Sequence, residues 1–232
     1  MKKSIYITLL LLLGTMFANG QKIVEKSVKI SSEEKVSLEF KFADDIKIST
    51  WDKNEVYVKA SVNINDNEDN DAFRFNVNSF SKGIEIESEI ENMEDLHRTT
   101  IIQREQNKDG KTETITTNSI DMELFFEVKL PRDARLSINT ISGNINIVGL
   151  QNKMEIETIS GFIDLSLPSK QQAHLVLNTV TGEMYTDFDL NTKDKGELKH
   201  YHNGKFTASL NGGGEEIFLK TISGDIFLRK DK

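Results

Sequence analysis

Apolar and polar residues alternate along most of the chain. Val36, Leu38, Phe40 and Phe42 are separated by Ser37, Glu39 and Lys41. That two-residue period predicts a strand with one face buried and the other wet. The same alternation recurs at Val56, Val58, Ala60, Val62 and Ile64, at Phe73, Phe75 and Val77, at Ile84 and Ile86, and from Ile120 to Leu130. Turn-forming residues separate these runs: Thr50-Trp51-Asp52-Lys53-Asn54, the acidic 65–71 segment, Ser81-Lys82-Gly83 and Asp109-Gly110. Asp109-Gly110 has the composition of a two-residue hairpin turn. Residues 91–119 are the least apolar stretch past the first twenty and predict a projecting hairpin or a mobile arm. No window holds a 3.6-residue period, so little helix is expected after residue 20.

The second half repeats. With Gly143, Gly161, Gly182 and Gly224 set at position zero, the segments SINTISGNINI, EIETISGFIDL, VLNTVTGEMYT and FLKTISGDIFL align without gaps. Apolar residues occupy −7 and −5, threonine occupies −3 (Thr140, Thr158, Thr179, Thr221), and serine or threonine occupies −1. Beyond the glycine, apolar residues return at +2 and mostly at +4, where Thr186 is the exception. Gly204 fits as a weaker member, followed by Phe206, Ala208 and Leu210. A period of about twenty residues with two short strands per unit is the pattern of a stacked β repeat.

Alternation shifts parity across the Ser-Gly pair, so the same face stays inward if the chain turns there. Glycine accepts a conformation that a Cβ resists. The threonine can give its methyl to the core while its hydroxyl bonds to backbone or to the next threonine. Two all-β architectures satisfy the pattern. In a β-solenoid, the favoured expectation, the Ser-Gly pair is a corner and equivalent strands stack in parallel. In an antiparallel meander or sandwich it is a hairpin that pairs Ile138 with Ile147.

Lys2 and Lys3, the apolar run from Ile5 to Leu13, and the small residues Ala18 and Gly20 form a signal-peptide pattern, too short to cross a bilayer as a helix. Cleavage is expected between Gly20 and Gln21, leaving residues 21–232 as one exported β domain: divergent strands over 21–130, with the polar arm near 91–119, and regular repeats over 131–232. Formal net charge is −8, and cleavage would remove two lysines and no acid. The acidic balance and the lack of a basic stripe argue against nucleic acid. With no cysteine there is no disulfide, thiolate metal site or lipid attachment. No second long apolar run predicts a stable membrane span.

Candidate chemistry is sparse. His200 and His202 flank Tyr201 and would share one strand face, with Glu197 the nearest carboxylate, but no third metal ligand follows at useful spacing. Asp66, Glu68, Asp69 and Asp71 form an acidic loop without the spacing of an EF-hand. Gly212-Gly213-Gly214 lacks the helix and Lys-Ser/Thr of a phosphate loop and reads as a turn. Trp51 sits in a turn, where an indole either covers a core edge or stacks on a partner. Histidines at 97, 174, 200 and 202 nominate no general base. No catalytic residue, metal or cofactor is expected.

The Thr-x-Ser-Gly-x-Ile segments, with Gly143-Asn144-Ile145-Asn146 the closest local match, resemble the bacterial putative adhesin families of unknown function, including the auto-transporter adhesin head GIN domains. IKISTWDKNEVYVKA (Ile46 to Ala60) and FFEVKLPRDARLSI (Phe125 to Ile138) resemble the strand, tryptophan turn and proline that precede the repeats in those families. The resemblance spans about residues 35–230. It implies an exported, solenoid-like domain of the cell envelope and transfers no catalytic or ligand-binding residue. The expected function is therefore non-enzymatic interaction in the periplasm or at the cell surface, with an envelope or surface protein or a glycan as partner. The rival expectations are a periplasmic accessory protein of an envelope-stress or signalling system and a glycan-active enzyme.

Overall fold

The computed structural model describes residues 20–31, 34–96, 99–106, 112–190 and 204–231, with backbone alone for 99–106 and 112–118. The signal-peptide segment up to residue 19, the Asp109-Gly110 turn and the 197–202 candidates lie outside the described residues. Eighteen strands, numbered in chain order, occur among the described residues, and the one helical turn there is a short 3-10 piece at Asn70–Ala72.

The first sheet runs, in spatial order, β1 (Lys22–Lys29), β4 (Glu55–Ile64), β9 (Met122–Pro131), β3 (Asp45–Trp51), β11 (Asn144–Val148), β13 (Ile163–Leu167), β18 (Ile226–Lys230) and β15 (Met184–Thr186). The second runs β16 (Gly204–Leu210), β14 (Ala173–Thr181), β17 (Glu215–Ser223), β12 (Met154–Ser160), β10 (Arg135–Ser142), β2 (Lys35–Phe40), β6 (Gly83–Ile90) and β5 (Phe73–Phe80). Both are open and mix parallel with antiparallel neighbours, and their inward residues meet in one apolar layer. Phe40 of the second sheet stacks on Phe126 of the first at 4.3 Å between ring centroids, with Phe73 and Phe75 around them. No helix among the described residues is long and apolar enough to cross a membrane. The polar arm forms its own two-stranded sheet, β7 (Thr99–Gln106) antiparallel to β8 (Thr112–Ser119).

Each repeat enters through a strand of the second sheet, turns at Ser/Thr-Gly, and leaves through a strand of the first. The hairpin expected of a meander is absent: Ile138 pairs with Ile156 and Leu38, and Ile147 with Leu165 and Ile48. Equivalent strands lie parallel and in register, so Thr158 is flanked by Thr140 and Thr221, and Thr221 in turn by Thr179. A solenoid would also lay successive units side by side, and this fold does not. The last unit, β17–β18, inserts between β12–β13 and β14–β15. Antiparallel β1, β4, β5 and β16 complete the sheets. The architecture is a two-sheet sandwich, because units with the same inward side chains can stack in any order that keeps their register.

Gly204 departs from the pattern of the other repeat glycines. Its strand runs antiparallel to β14 in the second sheet, with Gly204 opposite Thr179, so it marks no corner. Phe206, Ala208 and Leu210 are buried as the alternation requires. Gly182 is a corner for a different reason from its equivalents. Gly143, Gly161 and Gly224 have φ between +131° and +152°, whereas Gly182 is needed because a Cβ there would lie 1.9 Å from the Gly224 carbonyl oxygen. The corner glycines form a column of close backbone approaches.

Candidate functional site

The four corner threonines are buried and hydrogen-bonded to backbone, as their position beside a turn requires. Thr140 and Thr158 donate to the carbonyls of Ser142 and Ser160, at 2.6 and 3.1 Å. Thr221 and Thr179 donate across units to Gly161 and Gly224, at 3.0 and 2.9 Å. Inward threonine at −3 forces position −2 outward, since side chains alternate across a strand. That position is always isoleucine or valine.

The result is a row of exposed aliphatic side chains on the outer face of the second sheet: Val180, Ile222, Ile159 and Ile141, on the adjacent strands β14, β17, β12 and β10. They are 49%, 41%, 48% and 44% exposed. Strands about 4.8 Å apart give the row a length of roughly 14 Å. Beside it, position −4 supplies polar groups that satisfy one another. Lys220 pairs with Glu157 at 2.7 Å, and Asn139 donates to Glu39 at 2.8 Å. Lys41 pairs with Glu87 at 3.2 Å. The two rows enclose a shallow groove of about 440 Å³. Full burial of an isoleucine is worth about 1.5–3 kcal/mol, so covering the exposed half of each ladder residue would add roughly 1 kcal/mol. Exposed apolar side chains scattered singly are ordinary, but four in register form a patch of the kind that marks contact surfaces.

The remaining sequence candidates resolve individually. Trp51 is half-buried at the end of β3, its Nε1 donates to the Glu55 carbonyl at 2.9 Å, and Lys53 lies over its ring, so it closes the β3–β4 turn. The acidic loop is organised by its asparagines. Asn65, Asp66 and Asn67 have φ of 50°, 54° and 72°, and the Ile64 amide donates to Asn70 Oδ1 at 2.7 Å. No group of three or more His, Asp or Glu side chains able to hold a metal occurs among the described residues. Gly212 and Gly213 form the β16–β17 turn with φ of 96° and 90°, and Gly213 lies against the His174 ring while Gly212 faces open space. On the outer face of the first sheet, Tyr185 stacks on Phe227 at 5.1 Å. The Tyr185 hydroxyl donates a hydrogen bond to the Glu183 carboxylate, which holds that phenol above its ordinary pKa. Tyr57 is pushed up to about 12 by its hydrogen bond to Glu25.

The ladder was visible in the sequence as an invariant aliphatic at −2 but drew no expectation, because periodicity identifies it as outward without saying that its neighbours in space are also aliphatic.

No protein-family model matches the chain, and no curated protein matches it. Among solved structures, a putative cell adhesion protein from Clostridium sporogenes is similar at 11% identity and a TM-score of 0.55, covering 91% of this chain and 100% of its own. A putative adhesin from Bacteroides fragilis aligns at 8% identity and a TM-score of 0.24, covering 92% of this chain and 99% of its own. The first of these similarities shows a shared fold.

Proposed function

We propose that this chain is an exported, non-enzymatic interaction protein of the cell envelope or cell surface, and that it presents the outer face of the second sheet to its partner. The observation that carries the reading is the aliphatic ladder: four side chains left exposed at the same register on four adjacent strands. Nothing in the fold requires aliphatic residues there, since threonine or lysine would suit an outward strand position. The cell adhesion name of the Clostridium sporogenes fold neighbour fits this reading, as does the signal-peptide pattern before Gln21, because β1 begins at Lys22 and the proposed cleavage leaves it intact.

The paired replacement Ile159→Lys with Ile222→Glu tests it. The two positions are lateral neighbours on β12 and β17, so the new charges oppose each other across the strands and leave net charge unchanged. Binding of the labelled protein to intact cells or isolated envelopes of its host is expected to weaken at least about tenfold, with a native melting temperature, since two anchors of about 1 kcal/mol each are replaced by groups costly to desolvate. Unchanged binding by the folded variant would overturn the assignment of this face.

A further inference from the structure

At the opposite end of the same outer face, position −8 brings cations together. Register places Lys35 of β2 opposite Arg135 of β10, and the residue before Met154, Lys153, on the far side of Arg135. Three positive charges therefore sit on three adjacent strands of a chain whose net charge is −8. Glu216 of β17 reaches Lys153 at 3.7 Å. Neither Lys35, Arg135 nor the neighbouring Lys82 has a carboxylate within ion-pair distance among the described residues. Like charges directly opposite on a sheet are destabilising, and no ion pair among the described residues offsets the repulsion between Lys35 and Arg135.

These cations border a cleft of about 530 Å³ whose apolar wall is Phe80, 46% exposed. Phe80 pairs with Gly83, and its ring lies over that glycine: a Cβ at Gly83 would come within 2.9 Å of Phe80 Cζ and 2.0 Å of the Lys35 carbonyl oxygen. The missing side chain lets the ring lie along the sheet towards Lys35. Glu34 and Glu155 line the same cleft.

We infer that this cleft binds a carboxylate-bearing sugar residue of an acidic glycan. The planar guanidinium of Arg135, backed by Lys35, matches a carboxylate. Phe80 offers a flat apolar surface to the C–H face of a pyranose ring, and Glu34 and Glu155 accept hydrogen bonds from hydroxyls. A free phosphate would use the cations and leave the ring and Glu155 without a role, whereas Glu34 already accepts the Ser31 amide at 2.8 Å. Because the cleft opens on a sheet face, a polysaccharide can continue beyond the bound residue. None of the ladder residues takes part, so this inference and the ladder reading fail separately.

Calorimetric titration of the purified chain with trigalacturonic acid, a neutral trisaccharide and inorganic phosphate tests it. Saturable binding of trigalacturonate is expected, weakening as salt rises. Affinity should fall at least tenfold in Lys35→Gln/Arg135→Gln and severalfold in Phe80→Ala, with phosphate at least tenfold weaker than the acidic trisaccharide. The double variant removes repulsion rather than core, so it should fold with an undiminished melting temperature. Lys129→Gln, an exposed lysine of β9 in the other sheet, should bind normally. No binding of trigalacturonate, equal binding of the neutral trisaccharide or of phosphate, full affinity in the folded double variant, or an equal loss in Lys129→Gln would overturn the inference.

Discussion

Replacing Gly161 with valine is expected to lower the melting temperature by roughly 10 °C, by thermal denaturation followed by circular dichroism. Two costs combine at this position. Its φ is +131°, a region that side chains, and β-branched ones above all, rarely adopt, and holding a residue there costs of order 1–3 kcal/mol. A Cβ would also sit 2.2 Å from the Gly143 carbonyl oxygen and 2.7 Å from its carbon, backbone atoms held in place because the Gly143 amide donates to Ser160 at 3.0 Å. Relieving that overlap must shift two corners at once, at a further cost of about 1–3 kcal/mol. A total near 4 kcal/mol, at about 2–4 °C per kcal/mol for a chain of this size, gives the expected drop. Gly182 and Gly212 separate the two costs. Gly182 has the close approach without positive φ, and Gly212 has φ +96° with open space around it. If Gly161→Val melts like the parent, the corner column is not what holds the units in register.

Phe126→Ala is expected to cost about 3–5 kcal/mol, again roughly 10 °C, because it empties the place where the two sheets meet. Phe126 is 1% exposed and stacks on Phe40 with 12° between ring planes, while Phe73 and Phe75 each lie 6.2 Å away. Phe40 occupies on β2 the place that threonine holds on the repeat strands, so in the first unit ring packing stands where the others have a hydroxyl bonded to the corner backbone. The adjacent Phe125 is an internal control. It points to the other face of β9 and is 41% exposed, so Phe125→Ala should leave the melting temperature within about 1 °C. Equal losses from both would mean that the alternation of β9 is not as described.

These two residues also mark what the chain makes legible before folding. Phe126 lies inward by simple alternation, and Gly161 stands in a repeat whose threonine, glycine and isoleucine positions all find the same place in every corner unit. The parallel register of Thr140, Thr158, Thr221 and Thr179 follows from that alignment, because matching side chains stack best on one another. The order of stacking does not follow. Units built alike give no local reason for the Gly224 unit to sit between those of Gly161 and Gly182, and only the whole sandwich decides it. The unit made by β2 and β3 was hidden for the opposite reason: it has Ala43 and Phe40 where its neighbours have glycine and threonine, so it carries no repeat signal although it pairs directly with β10 and β11. Gly204 misled in the reverse sense, its alternation being correct and its direction not, since a period of two carries no information about strand polarity. The ladder and the cation row belong to the same class. Each residue is locally an ordinary outward side chain, and the surface exists only through lateral neighbours far away in sequence, as Ile159 is 18 residues from Ile141 and 63 from Ile222, and Lys35 is 100 from Arg135.

Export to the envelope or surface is the premise on which any partner depends, and one fractionation tests it. Intact host cells are treated with protease, then a second sample after the outer barrier is opened, with a cytosolic protein followed in both. The account predicts digestion in the first or second sample while the cytosolic protein survives, and a mature chain beginning at Gln21. A chain that stays protected in both, fractionates with the cytosol and retains residues 1–20 would contradict it.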